Sequence, residues 1–202
     1  MTDTINARDG KPRCSWCNAA PEFLHYHDKE WGYPVNDDRI LFEKLCLESF
    51  QSGLSWRTIL VKRENFRSAF KHFDFNQIAK FKQRDIDRLL KDEGIVRHRG
   101  KIEATINNAK RAQELVDQEG SLAAFIWRYE PDAKKLAKPQ TASTSAESIA
   151  LSKDFKKRGW KFLGPTTIYA FMQAMGLIND HVEGCITRNK VEQARKKFKR
   201  PV

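Results

Sequence analysis

Cysteine and histidine residues gather near both ends of this chain, and their placement constrains the fold more than any other sequence feature. His181 and Cys185, in NDHVEGC, are spaced to share one face of a helix. A closed tetrahedral site for a metal ion needs about four nitrogen or sulfur ligands. The segment RCSWCNAAPEFLHYHDKEWG offers the remaining candidates, which are Cys14, Cys17, His25 and His27. The sequence therefore predicts one structural zinc ion that joins the two ends of the chain.

The spacing leaves the N-terminal ligand pair open. Both Cys14 with Cys17 and Cys14 with His27 satisfy the count, and a CxxC pair is the simpler choice. Two alternatives remain beside the structural site. The histidines could be ordinary polar residues beside free thiols, or His181 and Cys185 could hold a catalytic metal in a hydrolase. A closed four-ligand site leaves no position for a substrate, which favours the structural role.

Capping and helix-breaking residues divide the chain into a succession of helices. Asn36 or Asp37 and then Ser55 are candidate N-caps, and Gly120 ends a long helix that includes RHRGKIEATINNAKRAQELVDQ. Thr144 and Glu147 have the spacing of a capping box. Few segments alternate with a period of two, so the predicted fold class is all-α. We expect a polar N-terminal tail over 1–12, a helical domain over 13–187 and a basic C-terminal tail over 188–202.

The charge balance favours a polyanionic partner. Thirty-seven Lys and Arg residues oppose 26 Asp and Glu residues, which gives a net charge of +11. Such a surplus is typical of nucleic-acid binding, although a solvated basic surface is the alternative. No segment has the apolar length of a membrane span, and the N-terminus lacks the apolar core of a secretory signal. These features predict a cytoplasmic protein without a membrane partner.

An unusual acidic and aromatic stretch, LESFQSGLSW, occupies residues 47–56. Glu48 could be a solvated helix residue and Trp56 a core residue. Together with Trp16 and Tyr26, however, they offer a hydrogen-bond acceptor among flat aromatic faces, which suits an electron-poor heterocycle. Leu54 lies on a predicted exposed turn and could act as a wedge between stacked bases.

The stretch LLKDEGIVRHRGKI, residues 89–102, predicts a helix, a tight turn at Gly94 and a second helix. It resembles a helix-hairpin-helix, which holds DNA through its phosphates. Arg97, Arg99 and Lys101 surround the start of the second helix, where backbone N–H groups favour an anion. Val96 stands near the place of the usual second glycine, so the match is partial. An ordinary helix–helix turn with charged flanks is the alternative.

Several of these stretches together resemble the 3-methyladenine DNA glycosylase I family, the constitutive bacterial type. The resemblance spans residues 13–186 and rests on RCSW, YHDKEWG, LFEKLCLESFQSGLSW, KRENFR, GIVRHRGKI, STSAESIALSKDFKKRGWKFLGPTTIYAFMQAMGLINDH and HVEGC. It implies a helix-hairpin-helix glycosylase fold with a structural zinc. The zinc ligands that it implies are Cys14, His27, His181 and Cys185, which leaves Cys17 as a spare thiol.

The resemblance also assigns roles around a flipped base. Glu48 falls on the base-recognising carboxylate and is the candidate catalytic residue. Trp56 falls on the stacking tryptophan, Tyr26 on a pocket tyrosine, and Phe23 on a pocket position that is often tyrosine in relatives. Trp16 completes the candidate base-binding set. The residues that match the turn inserted at the flipped base are Gln51, Gly53 and Leu54.

The activity that the resemblance implies is hydrolysis of the N-glycosidic bond of 3-methyladenine in alkylated double-stranded DNA. Many helix-hairpin-helix glycosylases use an aspartate after the hairpin, but no aspartate lies between Gly94 and Leu115. We expect a monomeric, monofunctional enzyme that acts at the bacterial nucleoid and releases the base without cutting the strand. The alternative is a zinc-stapled helix-hairpin-helix module that binds DNA without catalysis, although this leaves Glu48 beside Trp56 unexplained.

Overall fold

The computed structural model describes residues 3–7 and 9–202, and these form a helical fold with one small hairpin of strands. Strand β1 pairs antiparallel with β2, with Thr4 opposite Cys14. The predicted all-α class is confirmed apart from this short hairpin. The elements, in chain order, are β1 Thr4–Asn6, β2 Pro12–Cys14, α1 Pro21–Lys29, α2 Asp38–Gln51, α3 Trp56–Val61, α4 Arg63–Ala69, α5 Phe75–Ile78, α6 Gln83–Lys91, α7 Arg99–Glu119, α8 Leu122–Trp127, α9 Ala146–Lys157, α10 Pro165–Ala174 and α11 Ile186–Lys197.

Helix α2 runs through the centre of the molecule and is buried from Leu41 to Phe50. Its N-terminus is fixed by Asp37, whose carboxylate accepts a hydrogen bond from the Ile40 amide at 2.9 Å. Neighbours surround this helix, so even Glu48 has little contact with solvent. None of the helices in the described ranges has the length and apolar character needed to cross a membrane.

Both chain ends are more structured than the tails expected from sequence. Residues 4–6 form β1, which pairs beside the first cysteine, and residues 186–197 form helix α11. Within α11, the aliphatic part and guanidinium of Arg195 are buried, and beyond it the ring of Phe198 lies 4.5 Å from that of Trp127. Polar and basic composition alone did not reveal these long-range contacts. The domain limits themselves stay a prediction.

Two helix starts show how the candidate caps are used. The stretch SWRTILVKRENFRSAF, which begins at the Ser55 cap, forms two helices, α3 and α4, because Lys62 has non-helical backbone angles between them. Helix α9 begins one residue later than the capping-box spacing suggested. Ser145 and Ser148 exchange hydrogen bonds there instead of Thr144 and Glu147.

Helices α6 and α7 flank the tight turn predicted at Gly94, and we call this pair of helices with its turn the hairpin. Glycine leaves room in the turn, because a Cβ atom at position 94 would lie 2.9 Å from the Asp92 carboxylate and 3.0 Å from Asn65, so these side chains would have to shift. His98 caps α7, because its Nδ1 atom accepts a hydrogen bond from the Lys101 amide at 3.2 Å. The long helix α7 then ends at Gly120, as predicted.

Candidate functional site

The two chain ends meet at a cluster of four buried side chains. One donor atom each from Cys14, His27, His181 and Cys185 lies within 4.8 Å of all the others. Cys14 Sγ is 3.6 Å from His181 Nδ1, and Cys185 Sγ is 3.5 Å from His27 Nε2. Two thiols and two imidazoles at these separations form the donor set of a metal site. We call these four residues the metal centre.

Surrounding groups orient the donors of the metal centre. His27 Nδ1 contacts the Asp28 carboxylate at 2.8 Å, which leaves its Nε2 atom for a metal. His181 has the opposite arrangement, because its Nε2 atom lies 3.0 Å from the Trp31 carbonyl oxygen and Nδ1 faces the thiols. Each imidazole therefore keeps one fixed nitrogen for the ion. The donor set fits a closed, four-coordinate metal.

Cys17 is not part of this cluster, so the CxxC alternative is not the one that the fold assembles. It is buried, and this burial raises the pKa of its thiol to about 11. His27, ten residues further along the sequence than Cys17, reaches the metal centre from α1 instead. All four donors of the cluster are buried. This leaves no open coordination position of the kind that a metal-dependent hydrolase requires.

A cavity lined mainly by aromatic side chains lies next to the metal centre, because Trp16 borders the cavity and also contacts His27. The cavity has a volume of about 170 Å³ and is lined by Trp16, Tyr26, Glu48, Gln51, Trp56 and Ala170. The ring centroids of Tyr26 and Trp56 are 5.4 Å apart, and Trp16 lies 6.4 Å from Tyr26. We call this cavity the base pocket, after the role that the sequence predicts for its residues. The sequence-predicted Glu48, Tyr26, Trp56 and Trp16 are thus brought together.

The carboxylate of Glu48 is the electrostatic centre of the base pocket. Glu48 is only 5% exposed, and no hydrogen bond to it comes from any described residue. Burial raises the pKa of Glu48 to about 7, although the nearby Lys44 opposes this shift. The indole N–H of Trp56 is likewise buried without an acceptor among the described groups. Glu48 and Trp56 both line the cavity, so the pocket holds two polar groups that lack a hydrogen-bond partner among the described residues.

Lys44 is a pocket residue that the sequence analysis did not identify. It lies one helical turn before Glu48 and is only 5% exposed. Its ammonium donates to the Tyr26 hydroxyl at 3.0 Å and lies 4.7 Å and 4.4 Å from the ring centroids of Tyr26 and Trp56. Burial lowers the pKa of Lys44 to about 8. A lysine four residues before a glutamate in an apolar helical run was the available signal.

The remaining predicted base-site residues lie around the mouth of the pocket. Phe23 is half-buried, with its ring 5.8 Å from Trp16, and does not line the cavity. Gly53 adopts a positive φ of 80° and turns the chain after α2. The Gln51 side chain donates to the Leu54 carbonyl oxygen at 2.8 Å, which holds the turn. Leu54 itself is 39% exposed, so its side chain is partly accessible at the tip of the turn.

Two of the three basic residues predicted to contact DNA are exposed beside the hairpin. Arg97 and Arg99 are half-exposed and form surface ion pairs one turn away, with Glu93 and Glu103. Lys101 differs from the expectation. It is buried and donates to the Phe50 carbonyl oxygen at 2.9 Å and also to that of Ser52, so its ammonium ties α7 to the end of α2.

Phe162 is an exposed aromatic residue beside the hairpin that the sequence analysis also missed. It is 45% exposed and has a positive φ of 59°, which is unusual for a bulky residue. Its ring lies against the start of α7, 6.5 Å from the ring of His98. The two main-chain polar groups of Lys161 pair with the Asn108 side chain at 2.8 and 2.9 Å, which fixes the loop.

This architecture is a mostly helical scaffold whose metal centre joins the two ends of the chain beside an aromatic-lined pocket that carries a buried carboxylate. The profile of the family described as methyladenine glycosylase matches residues 16–189. DNA-3-methyladenine glycosylase 1 of Escherichia coli is 45% identical over 177 residues, which cover 86% of this chain and 95% of that protein. The corresponding protein of Haemophilus influenzae, DNA-3-methyladenine glycosylase, has the same identity over 177 residues, 86% of this chain and 96% of its own.

Solved structures agree with these relatives. The 3-methyladenine DNA glycosylase I of Staphylococcus aureus, whose structure describes 3-methyladenine recognition, superposes with a TM-score of 0.82 at 38% identity, covering 87% of this chain and 96% of that one. The chain belongs to the methyladenine glycosylase family. The resemblance inferred from its motifs is confirmed.

Proposed function

We propose that this chain is a DNA repair glycosylase that hydrolyses the N-glycosidic bond of 3-methyladenine in double-stranded DNA. The observation that carries the proposal is the base pocket, in which Glu48 accepts no hydrogen bond from any described residue and lies beside Tyr26 and Trp56. Family membership supports the same reaction, because relatives carry the name of that activity. The alternative of a binding module without catalysis gives no role to this pocket.

The reaction needs limited assistance with base departure. Methylation at N3 makes the base cationic, so the glycosidic electron pair returns to the ring and leaves a neutral base. Water adds to the sugar carbon and loses one proton, which gives an abasic site. The nucleotide must first leave the helix, and a poorly paired lesion is easier to flip. We expect base release without strand cleavage.

Selection of the lesion falls to the base pocket. The Glu48 carboxylate accepts hydrogen bonds from N–H groups of the flipped base, and the aromatic faces of Tyr26 and Trp56 attract its electron-poor ring. A base whose hydrogen-bonding groups do not match would leave Glu48 buried and unpaired, which is unfavourable. Trp16 closes the pocket on the side of the metal centre, and Phe23 contacts Trp16 from outside.

We also propose that the metal is zinc with a structural role. Adjacent sulfur and nitrogen ligands of a tetrahedral zinc lie about 3.6 Å apart, as follows from its usual bond lengths. The separations of 3.5, 3.6 and 3.7 Å between thiols and imidazoles in the metal centre fit this geometry. Zinc bound there would stabilise the joined termini, while the base pocket performs the chemistry.

The DNA surface that we propose centres on the start of α7. Arg97 and Arg99 contact phosphates, and the turn of Gln51, Gly53 and Leu54 fills the space of the flipped base. Gly94 permits the close turn, whereas Lys101 acts by holding the Leu54 turn against α7. We add Phe162, whose exposed ring borders the same helix start. Phe162→Ala should weaken DNA binding a few-fold without changing its salt dependence, since the ring carries no charge.

The direct test is base release from alkylated duplex DNA by the purified protein, with chromatographic identification of the freed base. We expect free 3-methyladenine and an intact strand. Binding to duplex DNA without any base release would support the non-catalytic module instead. Light scattering of the same sample should give the mass of a monomer. We propose that the protein acts in the bacterial cytoplasm, where its chromosomal substrate lies.

A further inference from the structure

A buried lysine lies where the proposed function calls for binding a cation. Lys44 contacts one face each of Tyr26 and Trp56, at 4.7 Å and 4.4 Å from the ring centroids. A flipped 3-methyladenine, itself positively charged, would be attracted to the same two rings. An ammonium group and a cationic base within one buried cluster repel each other. The presence of Lys44 therefore needs an explanation beyond packing.

The charged neighbours of Lys44 leave Glu48 as its principal partner. Two of the surrounding carboxylates are engaged by arginines, since Arg63 donates to Glu30 at 3.0 Å and Arg67 donates to Glu43 at 3.0 Å. Lys44 and Glu48 have no such ion pair and lie one turn apart on α2. The phenol of Tyr26 accepts from Lys44, which leaves its own hydrogen free to donate.

The reaction moves positive charge away from the base. In the bound substrate the methylated ring carries the charge, but as the bond breaks the charge passes to the sugar and the base becomes neutral. A lone carboxylate beside the base would stabilise the cationic ring most strongly before the bond breaks. It would therefore oppose part of the charge movement, because only interactions that favour the transition state accelerate a reaction. A fixed positive charge nearby would weaken this excess stabilisation of the cationic base before the bond breaks.

We propose that Lys44 is a positioning residue whose buried ammonium offsets Glu48 and disfavours the cationic base, so that the pocket prefers the neutral departing base. This inference rests on the proposed function and deepens it. Lys44 acts through Glu48, Tyr26 and the field in the pocket, and it forms no bond to the DNA. The substitution of this ammonium by an uncharged group should therefore change which form of the base binds best.

The test compares two ligands in Lys44→Met, which keeps the side-chain length without the charge. The ligands are 3-methyladenine, the neutral product, and 3,9-dimethyladeninium, a permanent cation that resembles the base in DNA. Titration should show the wild-type protein preferring the neutral ligand. In Lys44→Met the affinity for the cation relative to the neutral base should rise, on the order of tenfold, because a charge within several ångströms has been removed. Lys44→Arg should restore the preference, and exposed Lys80→Met should leave it unchanged.

The pH profile gives a second measurement. Burial raises the pKa of Glu48 to about 7 and lowers that of Lys44 to about 8. Single-turnover excision should rise as Glu48 ionises and fall at higher pH as Lys44 loses its proton. Lys44→Met should lose the falling limb and be slower at neutral pH, on the order of tenfold by the same repulsion. Circular dichroism confirms that each variant is folded.

The outcomes separate this inference from the proposed function. A wild-type protein that releases no 3-methyladenine contradicts the function. A wild-type protein that releases it, together with a folded Lys44→Met protein that has the wild-type ligand preference and pH profile, overturns the role of Lys44. Borohydride trapping of Lys44 on DNA would also overturn it, because the amine would then be a nucleophile.

Discussion

The metal centre and the base pocket are neighbouring buried clusters that use their polar atoms in opposite ways. Adjacent residues of α1 serve them, with Tyr26 in the pocket and His27 in the metal centre, and Trp16 contacts both rings. In the metal centre each imidazole has a second partner that fixes its orientation. In the base pocket the Glu48 carboxylate and the Trp56 N–H have none among the described residues.

This difference distinguishes a structural site from a ligand site. Buried polar groups that are fully paired stabilise one arrangement, whereas unpaired ones destabilise the free protein by about 1–3 kcal/mol each. A ligand that supplies the missing hydrogen bonds recovers this free energy on binding. The metal centre should therefore govern folding, and the base pocket should govern recognition at some cost to stability. Variants in the two clusters should have correspondingly different effects.

The largest expected effect follows from disruption of the metal centre. Cys14→Ser or Cys185→Ser should lose the metal and unfold at a much lower temperature, because metal binding at such sites contributes roughly 10 kcal/mol or more to folding. Elemental analysis together with thermal unfolding measures both quantities, with about one zinc per wild-type chain expected from the four-ligand count. Cys17→Ser is the matched control and should keep both metal and stability. Full metal retention in Cys14→Ser would contradict the ligand assignment.

A substitution in the base pocket should act on chemistry instead. Glu48→Gln keeps the shape of the side chain but replaces one acceptor oxygen by a donor. Excision of 3-methyladenine should fall by about ten- to two-hundred-fold, as expected from losing a charged hydrogen bond of about 1.5–3 kcal/mol. Single-turnover kinetics and titration with the free base measure this. A folded variant with normal excision would show that the carboxylate is a bystander.

The same variant should remove a pH dependence from the stability of the protein. The pKa of Glu48 rises from 4.5 to about 7 on folding, so ionisation opposes the folded state. The buried Glu48 therefore lowers the free energy of unfolding little below pH 4.5 and increasingly as the pH rises toward 7. Glu48→Gln should lack this dependence of stability on pH between about 4.5 and 7, whereas its stability at any one pH also reflects the Lys44 ammonium, which is left without the opposing charge. Denaturant unfolding of both proteins at several pH values measures this difference. The same pH dependence in wild type and variant would argue against a carboxylate that is destabilised by burial.

The smallest effects are expected outside both clusters. Arg97→Ala and Arg99→Ala remove exposed charges beside the hairpin. Each should weaken binding to any duplex several-fold and lower the salt slope by about one, with no change in metal content or in the pH dependence of stability. Fluorescence titration over a range of salt concentrations is the measurement. An unchanged slope in the double variant would indicate an ordinary helix–helix turn.

Sequence patterns predicted the local structure where neighbouring residues decide it. Asp37 and Ser55 cap helices through side-chain bonds to amides only three residues away, so their roles were readable from sequence. The capping box of α9 was misplaced by one residue because Thr144 and Ser145 are both suitable caps. The ligand set was implied by the resemblance to a known family, whereas spacing alone allowed Cys17.

The sequence by itself determined the helical succession, the residue types of the metal centre and the family. Only the tertiary structure decided that Lys44 faces two pocket rings while Lys101 turns inward to the end of α2. Both lysines look solvent-exposed in sequence, because lysine is rarely buried. Their environments depend on helices that meet from distant parts of the chain, α1 and α3 around Lys44 and α2 beside Lys101. Helix contacts set by packing, rather than by neighbouring residues, therefore decided the chemistry of the pocket.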